Sequence, residues 1–427
     1  MIARNAAKNK PVARKNSSRR HHHTKGRAQD KRRRVQRRAD QTRRRQSVRG
    51  LDERLIHRVA KHIFGELLHH KQVLSFALVA FGVINTARMA VHAIGESLAK
   101  ARSHACMKHC VKQVDRFMSN KKIMPLVLRQ GLVAAAVGSR KQIEVSMDWT
   151  DFDKDDHTTL AISLILRNGR AIPLVWSTVR KSKLKTKQAH YERTALQMLR
   201  EALLFDVRVV VIADRGFGNT SLYDHLLGIS GFDFIIRFRQ NIFLHADAFS
   251  GKAAAAVPRN GRIRVVRDAR LTAERRGPYT VVLYKARRMK EAWCLATNRK
   301  TTDGADIVRA YGHRFECEEG FRDLKDWRFG LALKHTSIKS ESRREKLLFA
   351  FALAAFLLTL VGFENERLGY DRYLRANTSK LRTHSLFRQG RMLIDGELPV
   401  DKLRAVFRAA RCLIALALKI GFANVLA

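Results

Sequence analysis

The first fifty residues show no hydrophobic period. From Leu51 to Gly138 apolar positions then recur at helical spacing, as in Leu55, Val59 and Ile63 and in Val73, Phe76, Val79 and Phe81. At Ile143 the period changes to two: Ile143, Val145, Met147 and Trp149 alternate with Glu144, Ser146, Asp148 and Thr150, the pattern of a half-buried strand. Residues 157–166 and 171–175 read as further strands, joined by an Asn168-Gly169 hairpin signal. A helix is expected over 188–204. Residues 207–213 (VRVVVIA) form the continuous apolar run of a strand covered on both faces. Gly216 and Gly218 mark a turn, a helix starts near Thr220, and 232–238 is another strand. Residues 240–290 are rich in Gly and Arg, with short strand-like pieces at 263–266 and 279–284, and read as a β-rich insertion before the sheet resumes at 292–297. A long helix is expected from about Ala305 to Asp326, and helices dominate the remainder. Leu347 to Phe363 is 17 residues without a charge, bracketed by Glu345 and Glu364. A bilayer span needs about 20, so this run reads as a buried core helix rather than a membrane segment. The whole reads as an α/β catalytic core flanked by helices at both ends.

Composition sharpens this picture. Lys and Arg number 84 against 38 Asp and Glu in 427 residues, a net charge of +46, while 45% of residues are hydrophobic. A folded protein with so positive a field favours nucleic acid as partner, because neutralising phosphates releases counterions; an anionic membrane surface ranks second. Residues 1–50 hold 19 basic residues and two Asp, a net of +17, so +29 belongs to the rest. That arm cannot form a core. It reads either as a disordered tail on the DNA backbone or as a solvated extension. Residues 93–120 form two helix-like stretches with Lys100, Arg102, Lys108, Lys112 and Arg116 outside, which suits a helical DNA-binding domain or an ordinary bundle with a basic surface. His104, Cys106, His109 and Cys110 lack the second pair that a zinc site uses. Five scattered cysteines suggest a reducing compartment, and the basic N-terminus has no apolar signal stretch.

Three acidic residues stand out by placement. Asp148 lies on the polar face of the first strand. Asp214 follows the apolar run, at the carboxyl end where sites form in α/β sheets, although a lone Asp there is more often a loop or cap residue. Tyr311, Arg314, Glu318 and Lys325 fall at offsets 0, 3, 7 and 14, within about 60° on one helix. A solvent-exposed face with charge pairs would give the same stripe. The run Asp151, Asp153, Asp155 lacks the Gly and Glu of a calcium loop. No Walker loop, His-Glu-x-x-His or nucleophile triad is present in the sequence.

The spacing Tyr311-x2-Arg314-x3-Glu318-x6-Lys325 resembles the Y-R-E-K signature of bacterial insertion-sequence transposases of the type-four family, within the DDE superfamily. The words MDWTDF around Asp148, VVVIADRGFGN around Asp214, YGHRFECEEGFRDLK around Glu318 and VDRFMSN at 114–120 agree, over roughly residues 55 to 365. The resemblance implies a ribonuclease H-like mixed-sheet core with a β-rich insertion. It implies that Asp148, Asp214 and Glu318 are catalytic and bind two Mg²⁺ ions, with Mn²⁺ as a substitute. Tyr311, Arg314 and Lys325 would grip DNA phosphates, and Trp293 resembles the position that stacks on a flipped base. The expected organisation is a basic arm (1–50), a helical DNA-end-binding domain (51–140), a catalytic core (141–335) with its insertion at about 240–290, and a C-terminal helical region (336–427). The implied activity is Mg²⁺-dependent cleavage of transposon ends and strand transfer into double-stranded target DNA, by a homodimer in a synaptic complex, in the cytoplasm at the nucleoid. The alternatives are a nuclease of the same core without strand transfer and a catalytically silent DNA-binding regulator.

Overall fold

Asp52 accepts the Leu55 N–H at 2.8 Å and so caps helix α1 (Glu53–Phe64), which buries Leu55, Ile56, Val59, Ala60 and Ile63 along one stripe. The computed structural model describes residues 50–86, 88–102, 105–152, 156–166, 171–300, 302–315, 338–380 and 382–426. Four more helices follow α1: α2 (His70–Ile84), α3 (Val91–Ala101), α4 (Met107–Ser119) and α5 (Pro125–Val137), the last opened by its proline. α3 and α4 cross at Gly95. A Cβ there would lie 2.6 Å from the Val111 Cα, so the crossing needs a residue without one.

The chain then builds one mixed sheet. Its strands are β1 (Gln142–Phe152), β2 (His157–Leu164), β3 (Ile172–Arg180), β4 (Arg208–Ala213), β5 (Phe232–Arg237), β6 (Phe243–Ala246), β7 (Phe249–Lys252), β8 (Arg264–Leu271), β9 (Arg276–Tyr284) and β10 (Trp293–Thr297). The order across the sheet is β3-β2-β1-β4-β5-β10-β9-β8-β6-β7. β1, β4 and β5 are parallel at its centre, and the remaining pairs are antiparallel. α6 (Gln188–Ala202) and α7 (Thr220–Leu227) cover one face. There Trp149 Nε1 donates to Glu192 Oε1 at 3.1 Å, and Tyr223 stacks on Phe234. The other face carries α8 (Gly304–Gly312), whose Tyr311 meets Trp293, and α9 (Glu341–Arg367), whose Phe349 meets Trp176 at 4.3 Å. A central parallel trio between antiparallel wings, with helices on both faces, is the ribonuclease H-like α/β arrangement.

The apolar run at 347–363 is the middle of α9. It is long and apolar enough to cross a bilayer, and here almost all of it is buried inside the protein. It packs on α2, α4, α5 and β3, and on α10 (Leu386–Ile394) and α11 (Val400–Ile420). Polar residues at the edges of this layer close helix ends whose carbonyls lack partners within the helix. Lys346 donates to Asn120 O at 2.7 Å and Met118 O at 3.3 Å, Arg343 pairs with Asp115 at 2.6 Å, and Arg391 donates to Ile84 O. The 51–140 and 336–427 regions therefore interlock, and residues 50–427 cluster as one compact unit.

Several elements differ from the sequence expectation. β3 runs five residues past Val175, to Arg180. As an edge strand it accommodates Pro173, with an irregular register at Ile162/Ser163. Residues 240–290 do not form a separate β piece. Their strands β6–β9 extend the main sheet, because β10 pairs with β5 on one side and β9 on the other. The helix expected over 305–326 is seen as α8 to Gly312 and is interrupted by a turn at His313 and Arg314; Phe315 is helical again, and 316–326 lie outside the described residues. The Asn168-Gly169 turn lies outside the described residues.

Candidate active site

The centre of the sheet sets the geometry. β1 and β4 pair in parallel with Met147 opposite Ala213, and β4 and β5 pair with Ala213 opposite Ile236. Met147, Ala213 and Ile236 are fully buried toward α6 and α7. One residue further along, Asp148, Asp214 and Arg237 form the next row, and alternation turns all three to the opposite face. Asp214 keeps extended backbone (φ −82°, ψ −178°), so the alternation carries through it, and its Oδ1 accepts the Gly216 N–H at 2.8 Å. Two carboxylates thus follow the last parallel pair of β1 and β4, Asp148 within β1 and Asp214 just past the end of β4, with a guanidinium in the same row.

Above this row lies an aromatic and cationic cluster. Trp293 meets Tyr311 edge-on with ring centroids 4.7 Å apart, and Phe315 lies 6.3 Å from Trp293. The Arg314 guanidinium sits 4.8 Å over the Phe315 ring and 5.9 Å from the Tyr311 ring. Tyr311 is buried, and burial raises its phenol pKa above the ordinary value. Arg314 and Arg237 pull it down, and Asp214 pushes it up. Tyr311, Arg314 and Trp293 thus pack together on the face to which Asp148 and Asp214 turn. Glu318 and Lys325 lie outside the described residues. Tyr311 and Arg314 are both buried, at 1% and 7% exposure, rather than on a solvated helix face.

Sequence reading missed three participants, Arg215, Arg237 and Glu291. Arg237 donates to Glu291 Oε2 at 2.7 Å and to Ala292 O at 3.2 Å, and Arg215 donates to the same Glu291 oxygen at 2.7 Å. Arg215 and Arg237 hold the Glu291 carboxyl below the usual range. Arg237 closes an apolar strand and looks like a strand-end cation; its place beside Asp214 follows from register across two strands, which no local pattern encodes. A cleft of about 670 Å³ on the same face lies lower along β1, lined by Glu144, Arg299, Asp306, Arg309 and His313 rather than by the two Asp.

The donor set can be weighed against a metal. Hard divalent cations take carboxylate oxygens, and Asp148 and Asp214 supply two at adjacent positions. Among the described residues no third His, Cys, Asp or Glu completes a cluster. Other groups serve other ends. Cys106 and His109 are exposed while Cys110 is buried, so they do not converge. Asp151 pairs with Lys181 at 2.7 Å, and Asp156 binds Ser182. Burial pushes the Cys294 thiol up to about 12, which removes it as a nucleophile.

Residues 178–357 match the family model described as a transposase DDE domain. The match supports a transposase of the DDE type. It runs from the end of β3 into α9 and includes Asp214, Arg237, Trp293 and Tyr311, while Asp148 precedes it. No curated protein matches the chain.

Proposed function

We propose that the chain is an insertion-sequence transposase of the type-four family, which cuts the ends of its element and joins them to double-stranded target DNA. One observation carries the reading: Asp148 and Asp214 follow the paired Met147 and Ala213 on neighbouring parallel strands, and Tyr311, Arg314 and Trp293 cluster on the face to which they turn. Asp148, Asp214 and Glu318 would hold two Mg²⁺ ions, or Mn²⁺ in their place. Bound there, such ions would stabilise the attacking and leaving oxygens of phosphodiester exchange. The chain's own residues orient the DNA. Arg314 presents a planar fork suited to one phosphate, and its stacking on Phe315 fixes that fork. Lys325 adds a point charge. Tyr311 braces Trp293, so the indole is held to offer its face to an unstacked base. The basic α3–α4 surface contributes Lys108, Lys112 and Arg116, all exposed, whereas Arg102 is taken up by Glu53. The partners in this reading are element ends, target DNA and a second copy in the synaptic complex, at the nucleoid.

The test is a labelled duplex carrying the element's terminal repeat, incubated with Mg²⁺ and a target plasmid. Ends cut and joined to the plasmid are expected, and Asp148→Ala, Asp214→Ala and Glu318→Ala should each abolish both products while leaving end binding. Cutting without joining would favour the nuclease. Binding with no cutting would favour the silent regulator.

A further inference from the structure

The pairing of Glu291 with two arginines beside the carboxylate row goes beyond the proposed assignment, although it rests on that reading. The β9–β10 hairpin spans 285–292. Its Lys285, Arg287, Arg288 and Lys290 are all exposed and point to a polyanion. Glu291 is the one acid among them in the sequence. Rather than reaching solvent alone, its Oε2 receives both the Arg215 and the Arg237 guanidinium at 2.7 Å. Two guanidinium groups converging on one anionic oxygen is how arginines hold a phosphate. Arg237 is third in the row with Asp148 and Asp214 and only 17% exposed, and Arg215 is joined to Asp214 in the chain. Glu291 itself is 48% exposed, so an incoming backbone can reach the same oxygen position.

We propose that Glu291 is an internal stand-in for a DNA phosphate: it positions Arg215 and Arg237 beside the carboxylate pair in the free protein, and a backbone phosphate of the bound DNA displaces it. Glu291 is thus a positioning residue that competes with substrate. No bond forms or breaks in the exchange. One anion replaces another on the same two cations.

Removing the competitor strengthens DNA binding, and the gain requires the two arginines. The experiment measures duplex DNA affinity by fluorescence anisotropy, without metal and at fixed salt. The proteins are the full-length parent, Glu291→Gln, Glu274→Gln as an equal change of charge elsewhere in the sheet extension, the double variant Arg215→Gln/Arg237→Gln, and the triple variant that adds Glu291→Gln. Glu291→Gln is expected to bind about threefold to tenfold more tightly than the parent, the range of one or two exposed ion pairs. Glu274→Gln should change affinity less than about twofold by screened charge alone. The triple variant should bind no better than the double. The inference is overturned if Glu291→Gln binds as the parent does or more weakly, if Glu274→Gln matches its gain, or if the gain survives loss of both arginines. A parent that binds no duplex overturns the transposase reading along with it, whereas a parent that binds and a silent Glu291→Gln overturn this inference alone.

Discussion

If Asp148 and Asp214 form a cation site, Mg²⁺ stabilises the folded parent and loses that hold when either carboxylate is neutralised. That gives a test independent of activity. Both carboxylates are half-buried, on neighbouring strands of which the backbones lie about 4.8 Å apart. Asp148→Asn or Asp214→Asn removes one charge while keeping shape, and Asn also serves as a cap, so the Gly216 N–H bond to residue 214 survives. The parent gains about 1.4 kcal/mol when free ion reaches tenfold the dissociation constant, which raises its melting temperature by about 1–3 °C, and the variants gain little. The assay is a calorimetric melt of all three proteins in EDTA and in Mg²⁺. Should Mg²⁺ shift all three equally, the carboxylates are structural and the metal-site argument fails.

Other outcomes follow from particular contacts. Glu192 is 2% exposed, and burial raises its carboxyl pKa, while Trp149 and Gln188 donate to it. A raised folded-state pKa contributes stability that is complete below the unfolded value and lost as pH rises through the folded one, so Glu192→Gln should raise the melting temperature at pH 8 and leave it unchanged at pH 4, by calorimetry. Lys346→Met leaves the Met118 and Asn120 carbonyls without their donor and should cost about 1–3 kcal/mol, read from urea denaturation. Gly390→Ala places a Cβ 2.0 Å from the Leu358 carbonyl oxygen; prising α10 from α9 should cost about 1–3 kcal/mol, in the same assay. Deleting residues 1–49, with their 19 basic residues, should weaken binding to specific and random duplexes alike and flatten the salt dependence; a loss confined to the element's end would make the arm a sequence reader.

Much of the fold was legible because each buried element carries its own period. VVVIA announces β4, the alternation from Ile143 announces β1, and the charge-free run at 347–363 announces a buried helix. What remained hidden depends on long-range pairing. The strands of 240–290 were visible as short pieces, but their membership of the main sheet follows from β10 pairing on both sides. The interlocking of the N- and C-terminal helices rests on Lys346 and Arg391 reaching helix-end carbonyls, and on Arg343 reaching the Asp115 carboxylate, more than two hundred residues away. In sequence these look like ordinary solvated cations.

The candidate site divides along the same line. Asp148 and Asp214 were readable because each stands at a marked point of a strand, and Tyr311 and Arg314 because of their spacing. Between them the helix is interrupted by a turn at His313 and Arg314. Tyr311 and Arg314 turn inward onto Trp293 and Phe315, while Glu318 and Lys325 of the same stripe lie outside the described residues. Arg237 had no local mark. It ends a strand whose alternation places it on the Asp148 face only once β5 is registered one strand beyond β4. Glu291 was harder still, an acid in a basic hairpin whose role follows from which two cations it touches. Spacing along the chain finds residues that share an element. Residues that share a site by register across three strands emerge when the pairing is known, and in this protein those are the ones that surround the carboxylates with positive charge.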